Sequence, residues 1–380
     1  MHYTIPGNPF SLDETRKLIH RVPASETWTI GGFVCLLAGT LIRTPDGERL
    51  IEELEVGDAI YAMDPNGEDQ NRRTIAWIGR GLGHAVEELP IDLAVWPIRI
   101  CRDALGQCVP SRDLLVTGEH CLFIENKLIP ARMLVNGSSI YYDRSIPTYW
   151  YYHIELSDHE IIWGNDCPLE SYLDTGNSRC FILGNHSKES TPRPKRWNDH
   201  SCAALTTEQC VVEPLFRKYS SRAEQLGFKE KIEKPMIIED IRLFLQTATG
   251  QHIYPARTTG SVYVFLLDET TDNVRIMSGL FRPCETIGPF IDDRRALGVL
   301  VGQIYFYAGS EMREITDHLK EAEIDGWHDG IEGRGRWTMG EGVLELEHSV
   351  EGGGVLAIEI LAGGPYLYSK VSSLQHQELH

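Results

Sequence analysis

The stretch CLLAGTLIRTPDGERLIEELEVGDAIYAMD, residues 35–64, alternates short apolar segments with turn residues. Runs such as TLIRT and DAIYAM have the length and alternation of β-strands, and PDGE between them is typical of a tight turn. The stretch begins with Cys35, directly after Val34. It predicts hairpin-rich β-structure with a thiol at its start.

The same pattern continues to about residue 182. WPIRIC, DLLVT, CLFIE and YYHIEL are further short apolar or alternating segments, which predicts an all-β domain over residues 35–182. Residues 1–34 are too few to form a core and are interpreted as a leader. The polar stretch GNHSKESTPRPKRWNDH has no helical or strand period, so residues 183–200 are predicted to be a linker.

A second, mainly β domain is predicted over residues 201–375. Residues 207–228 space their apolar side chains as one face of a helix does, and this requires Pro214 to lie in the first turn. The runs that follow, such as SVYVFLLDE and VLAIEIL, are β-branched or alternating and are bounded by turn residues. Together they predict a β-sandwich with a leading helix.

The composition limits the functional classes. The chain has 380 residues, 42% of them apolar, and a formal net charge of −19, which suits two or three globular domains and disfavours binding to nucleic acid or to an anionic membrane. Its nine cysteines include no CxxC pair, so no zinc site, metal, cofactor or disulfide framework is expected. No signal peptide or membrane-spanning run is evident. A cytoplasmic location is expected, with export by a non-classical route left open.

A cysteine can attack the carbonyl group of the peptide bond that precedes it. The attack moves the acyl group from nitrogen to sulfur and leaves a thioester that a second nucleophile can open. Because this shift is uphill for an unstrained amide, the site must hold the developing oxyanion and protonate the departing amine. At least one histidine is therefore needed near Cys35.

A suitable histidine occurs in RDLLVTGEHCLFI, residues 112–124, where Thr117 and His120 form a T-x-x-H pattern. The spacing puts both side chains on one turn. The Thr117 hydroxyl can hydrogen-bond the peptide bond at Cys35, and an imidazole with an unperturbed pKa of ~6.5 can protonate its nitrogen. The pair predicts cleavage between Val34 and Cys35.

These stretches resemble the Hedgehog/intein (Hint) family. Residues 35–64 look like its opening block, residues 112–124 are similar to its T-x-x-H block, and YYHIELSDHEIIWGNDCPLESY, residues 151–172, resembles the late intein block. The variant is most similar to bacterial Hint proteins outside the classical splicing inteins. The resemblance implies an all-β horseshoe over residues 35–182.

The resemblance also implies roles for individual residues. It makes Cys35 the nucleophile of the acyl shift, and Thr117 and His120 the pair that activates the amide. His159 corresponds to the histidine of the late block, with Asp158 orienting or activating beside it.

Departures from the family pattern limit the predicted reaction. Splicing inteins end in His-Asn before the downstream nucleophile, whereas Leu169 and Glu170 precede Ser171 here, so splicing is not expected. The stretch IAWIGRGLGH has no carboxylate where Hedgehog proteins carry the aspartate that aids sterol transfer. His153 stands where inteins commonly carry aspartate. The prediction is single-turnover self-cleavage, with the N-terminal segment as substrate and with water or another small nucleophile opening the thioester.

Two other functions stay open. The chain could be an inactive Hint scaffold that presents its C-terminal domain as a binding module, or a cysteine hydrolase acting in trans through Cys35 and His120. The position of Cys35 directly after a short leader favours the cis reaction over the trans one.

A candidate ligand site lies in the C-terminal domain, in GWHDGIEGRGRWTMGEG at residues 326–342. Paired tryptophans with an Arg-Glu pair could stack on and hydrogen-bond a sugar, which makes carbohydrate a candidate partner. The alternative is that the same side chains anchor a corner of the sandwich. The residues concerned are Trp327, Glu332, Arg336 and Trp337.

Overall fold

The structure is a computed structural model that describes residues 34–63, 70–176, 181, 195–232, 236–268, 271–346 and 353–367. The leader, apart from Val34, and most of the predicted linker lie outside these residues. The described chain divides into two compact units. The first contains the described residues up to 232 together with residues 289–292, and the second contains the remainder.

The first unit is built from short strands. These are β1 (Leu36–Leu37), β2 (Leu41–Thr44), β3 (Gly47–Leu50), β4 (Ala59–Met63), β5 (Gln70–Thr74), β6 (Trp77–His84), β7 (Ile98–Ile100), β8 (Leu114–Val116), β9 (Cys121–Ile124), β10 (Lys127–Pro130), β11 (Ile140–Tyr142), β12 (Thr148–Glu155), β13 (Ile161–Gly164), β14 (Cys167–Glu170) and β15 (Ala204–Leu205). Its helices are α1 (Trp197–His200), α2 (Gln209–Gln225) and two 3₁₀ turns at Ile51–Glu53 and Ala131–Leu134.

Two sheets organise these strands. One has the order β11-β7-β8-β1-β12-β6, and the other follows β15-β10-β9-β14-β13-β2-β3, with β4 and β5 branching from β13. Alternate side chains of β2, β4 and β8 are buried, as expected for strands with one face on a core. The predicted hairpin of residues 35–64 is present as the β2–β3 pair, joined at Thr44 and Gly47.

Helix α2 corrects the predicted domain boundary. Its side chains Val212, Leu215 and Tyr219 are buried in the same apolar cluster as Leu36 and Ile42 of the first unit. The helix therefore packs on the domain that precedes it, and the division falls near residue 233 rather than at residue 200. The amphipathic pattern correctly predicts the helix, but it does not specify which core its apolar face joins.

Pro214 also differs from its predicted position. Helix α2 begins at Gln209, so Pro214 is in the second turn rather than the first. A proline there removes one backbone hydrogen bond of the helix. The buried face of α2 holds the helix in place in spite of that loss, because burial of each large apolar side chain contributes about 1.5–3 kcal/mol.

The second unit is a β-sandwich. Its strands are β16 (Ile237–Ile238), β17 (Phe244–Thr247), β18 (His252–Ile253), β19 (Arg257–Thr259), β20 (Val262–Leu267), β21 (Asn273–Met277), β22 (Val299–Ala308), β23 (Glu311–Ile315), β24 (Arg336–Trp337), β25 (Glu341–Glu345), β26 (Gly354–Gly363) and β27 (Tyr366–Leu367), with short helices α3 (Pro283–Thr286) and α4 (Asp317–Lys320). The sheet β18-β17-β21-β25 and the sheet β19-β20-β26-β22-β23 share one core, to which Leu245 and Ile276 contribute from one side and Phe265 and Ile358 from the other. The mainly β class predicted for both parts of the chain is confirmed. Within the described ranges, no helix is long and apolar enough to cross a bilayer.

Candidate functional site

Strand register brings three sequence-distant residues together at the start of β1. This strand lies between β8 and β12 and pairs antiparallel with both, with Leu36 opposite Tyr152 of β12. Cys35 directly precedes β1 and Thr117 directly follows β8. The antiparallel register therefore sets Cys35 beside Thr117 on one side and beside His153 on the other.

Thr117 holds the peptide bond between Val34 and Cys35. The N–H of Cys35 donates to the Thr117 hydroxyl oxygen at 2.8 Å. In return, the Thr117 N–H donates to the Cys35 carbonyl oxygen at 3.0 Å. Cys35 is 0% exposed, so a buried hydroxyl contacts the nitrogen that would become the leaving group.

The His153 imidazole faces this peptide bond, and the His120 imidazole lies beside that of His153. The backbone N–H of His120 donates to the backbone carbonyl of Thr117 at 3.1 Å, which closes the turn of the T-x-x-H pattern. The rings of His120 and His153 lie 5.2 Å apart between centroids. Burial lowers the pKa of His120 to about 4 and also lowers that of His153, so both rings are neutral near pH 7 and can accept a proton.

The ring nitrogens of both histidines lack hydrogen bonds. In the part of the chain that the structure describes, none of the four has a partner in hydrogen-bond geometry. The His153 ring faces the backbone carbonyls of Val34 and Glu170, but outside that geometry. Buried polar atoms are nearly always satisfied when their role is structural, so their concentration at one peptide bond marks this place as the candidate site.

An aromatic wall, defined as Trp77, Tyr149, Tyr151, Tyr172 and Phe181, packs around Cys35. It covers the alternating glycines of WIGRGLGH in β6. A Cβ atom added at Gly81 would lie 2.2 Å from the Tyr151 ring, with similar clashes at Gly79 and Gly83. The glycines let the aromatic rings lie directly on the strand, and the wall keeps water away from the thiol.

Gly81→Ala is expected to lower the free energy of unfolding by about 1–3 kcal/mol, because the new methyl group displaces the Tyr151 ring. Denaturant unfolding measures the change. Gly106→Ala is the matched control, since an added Cβ there meets Val109 at an ordinary 3.7 Å. Equal stability of the two variants would contradict the close packing of the aromatic wall.

The two remaining residues implied by the family resemblance lie elsewhere. Asp158 is exposed and accepts a hydrogen bond from the Ser157 hydroxyl at 3.3 Å. His159 is buried, but its Nε2 faces Glu170 at 3.5 Å rather than the peptide bond at Cys35. Burial disfavours the charged form of the His159 ring, whereas the side chains of Cys202 and Glu170 favour that form. The second effect is larger, so the pKa of His159 is raised. In the described part of the chain, no hydrogen bond joins either residue to Cys35 or Thr117.

Glu170 is a site residue that the sequence interpretation did not identify. Glu170 is 1% exposed, and its carboxylate accepts the backbone N–H of Cys121, the residue after His120, at 2.7 Å. The sequence offers only the weak signal of a charged residue at the end of an apolar strand.

A small cavity lies beside Thr117. It has a volume of about 10 Å³ and is partly open, which is room for about one water molecule. Thr117 and Tyr149 line it, and both also contact Cys35 or pack against it. Asp92 brings a carboxylate to the same cavity, 25 residues before Thr117 in the chain and outside every motif of the sequence.

The candidate carbohydrate residues lie within the packing of the second unit. Trp327 is buried and donates its indole N–H to the Val343 carbonyl. The indole of Trp337 is also buried and donates to Glu332. The Arg336 guanidinium donates to four backbone carbonyls, those of His318, Glu321, Ala322 and His328. Burial of both indoles favours the alternative, that these side chains anchor a corner of the sandwich.

Among the residues described, no group of three or more His, Cys, Asp and Glu side chains is arranged to hold a metal ion. The candidate site therefore consists of the peptide bond at Cys35, Thr117, His120 and His153, with Glu170 behind the imidazoles and the small cavity beside Thr117.

Part of the chain is similar to known proteins. The family model described as Hint domain matches residues 34–176, which begins at Val34 and spans Thr117, His120 and Glu170. Among solved structures, a bacterial intein-like domain from Clostridium thermocellum is similar, with 15% identity over 37% of this chain and all of that domain, at a TM-score of 0.29. No curated protein matches the chain.

Proposed function

We propose, from the premise that residues 34–176 form a Hint domain, that the chain cleaves its own backbone between Val34 and Cys35. One observation carries the proposal. The N–H of this peptide bond is held by the Thr117 hydroxyl at 2.8 Å. In the described structure the buried His153 ring faces the same peptide bond, the buried His120 ring lies beside that of His153, and the nitrogens of both rings are unsatisfied. A binding scaffold has no need for that arrangement, whereas an acyl shift requires it.

The first step is an N–S acyl shift. His120 accepts the proton of the Cys35 thiol, and the sulfur attacks the Val34 carbonyl carbon. We assign to the His153 ring, which faces the Val34 carbonyl, the donation of an N–H to the oxygen as it becomes negative. The C–N bond then breaks, His120 returns the proton to the nitrogen, and a thioester joins Val34 to the Cys35 sulfur.

The second step opens the thioester with water. The cavity beside Thr117 has about 10 Å³, which suits one water molecule and is far too small for a sterol. Asp92 lines this cavity and serves as the base that takes a proton from the water as its oxygen attacks the Val34 carbonyl carbon. The C–S bond breaks, the proton held by Asp92 passes to the departing sulfur and reforms the Cys35 thiol, and residues 1–34 leave with a C-terminal carboxyl group.

Asp92→Asn is expected to slow unassisted hydrolysis by about 100-fold, since a general base typically contributes 10²–10⁴-fold. Cleavage driven by dithiothreitol should stay within about two-fold of wild type, because this thiol attacks the thioester without that base. Time courses of intact mass measure both rates. Asp113→Asn, which disrupts a pair with Arg99, is the matched control and should change neither rate. If Asp92→Asn slows both rates, Asp92 is not the base of the hydrolysis step.

The experiment that tests the proposed function is intact-mass spectrometry of the full chain directly after purification and after incubation with dithiothreitol. The expected product is residues 35–380 with a free N-terminal cysteine, which increases with thiol. A full-length mass that persists under both conditions would instead favour the inactive scaffold.

A further inference from the structure

We infer that Glu170 is a positioning residue for this reaction that acts through His120: it fixes the turn that carries His120, places a negative charge near the His120 ring, and links this turn to the chain segment bound at His159. The inference rests on the proposed function and extends it beyond the residues that touch the peptide bond. Glu170 contacts neither Val34 nor Cys35 through its carboxylate in the described structure, so it acts through its neighbours.

The first link is from Glu170 to His120. Oε1 of Glu170 accepts the N–H of Cys121 at 2.7 Å in a buried contact. Cys121 is the first residue of β9 and directly follows His120. Thr117 restrains the other side of the turn through the His120 N–H, so the backbone of His120 is fixed on both sides.

The second link is from Glu170 to His159, and from His159 to residues 197–205. Oε2 of Glu170 lies 3.5 Å from His159 Nε2. When its ring is neutral, His159 accepts the N–H of Cys202 on Nδ1 at 3.1 Å. The Trp197 ring packs edge-on against His159 at 5.6 Å. The segment that docks here, residues 197–205, lies beyond the matched Hint domain and pairs with β10 through β15.

The hydrogen bond to Cys121 does not explain why residue 170 is a glutamate rather than a glutamine. A neutral amide would accept the Cys121 N–H equally well and would avoid most of the cost of burying a carboxylate. The charge of Glu170 does, however, favour a proton on His120, against the burial that lowers the pKa of that ring. His120 must carry a proton transiently during the acyl shift, and a fixed negative charge nearby stabilises that state.

The test compares Glu170→Gln with wild type in the full chain, with dithiothreitol-driven cleavage as the readout. The amide keeps the hydrogen bond to Cys121 and the side-chain volume but removes the charge. The cleavage rate is expected to fall 10- to 100-fold without a comparable loss of thermal stability. Glu160→Gln is the matched control, since it weakens a partly buried pair with Arg73, and should leave the rate within two-fold.

A double-mutant cycle separates positioning from simple support of the fold. In a His120→Ala background, Glu170→Gln is expected to change the residual rate less than two-fold, because its effect passes through His120. An equal effect of Glu170→Gln in both backgrounds, or no effect in either, would overturn the inference. If wild type itself shows no more cleavage than Cys35→Ala, the proposed function fails and the inference fails with it. If wild type cleaves normally and Glu170→Gln is equally active, only the inference fails.

Discussion

Replacing His120 with alanine is expected to slow thiol-driven release of residues 1–34 by about 10²- to 10⁴-fold, the usual contribution of a group that transfers protons in the rate-limiting step. The Cys35 thiol loses the base that accepts its proton, and the leaving nitrogen loses the acid that protonates it. Intact-mass time courses with a fixed concentration of dithiothreitol measure the effect.

The control for this change is His318→Ala in the second unit. His318 is also buried, and its Nε2 bonds the Gly302 carbonyl at 2.8 Å. Its loss is expected to affect stability and to leave the cleavage rate nearly unchanged. A His120→Ala rate close to wild type would mean that another group moves the proton, with His153 the neighbouring candidate.

Replacing Cys35 with alanine is expected to abolish cleavage, both spontaneous and thiol-driven. No thioester can form without the sulfur, and the uncatalysed hydrolysis of a peptide bond is negligible on the timescale of the assay. The full-length mass should persist after prolonged incubation with dithiothreitol.

Cys121→Ala is the matched cysteine control. Cys121 is also fully buried and lies next to His120, but its link to Glu170 uses the backbone N–H, which alanine keeps. This variant should cleave at nearly the wild-type rate. Release of the same N-terminal fragment from Cys35→Ala would show that a protease, and not this chain, makes the cut.

Much of the fold could be predicted from local pattern. Short alternating segments separated by turn residues predict strands wherever one face is buried, and both units consist mainly of such strands. The T-x-x-H pattern predicts a local turn, and the structure has that turn at Thr117 and His120. Each of these features depends on residues that are close in sequence.

The residues that could not be predicted depend on tertiary pairing. His153 lies beside Cys35 because β12 pairs with β1, and Glu170 reaches His120 because β14 pairs with β9. Asp92 comes from a turn before β7, with no pattern that distinguishes it from other surface carboxylates. Such pairings join segments more than 45 residues apart, and a single sequence carries no signal for them.

The two tryptophans of the second unit show the opposite case, in which the sequence suggests a ligand site but the side chains are buried. In sequence, Trp327 and Trp337 with a nearby Arg-Glu pair have the composition of a sugar site. Composition does not specify which way a side chain points, and Trp337 lies in β24 against β22 while Trp327 joins the sandwich core. Burial of their indoles makes them part of the packing of the sandwich.

The most direct measurement is to trap the acyl group of the full chain with hydroxylamine and to locate the modification by mass spectrometry. A thioester between Val34 and Cys35 yields a fragment of residues 1–34 that ends in a hydroxamate, together with residues 35–380 that begin with a free cysteine. Hydroxylamine treatment that leaves the chain intact, or a cut at any other bond, would contradict self-cleavage at Cys35.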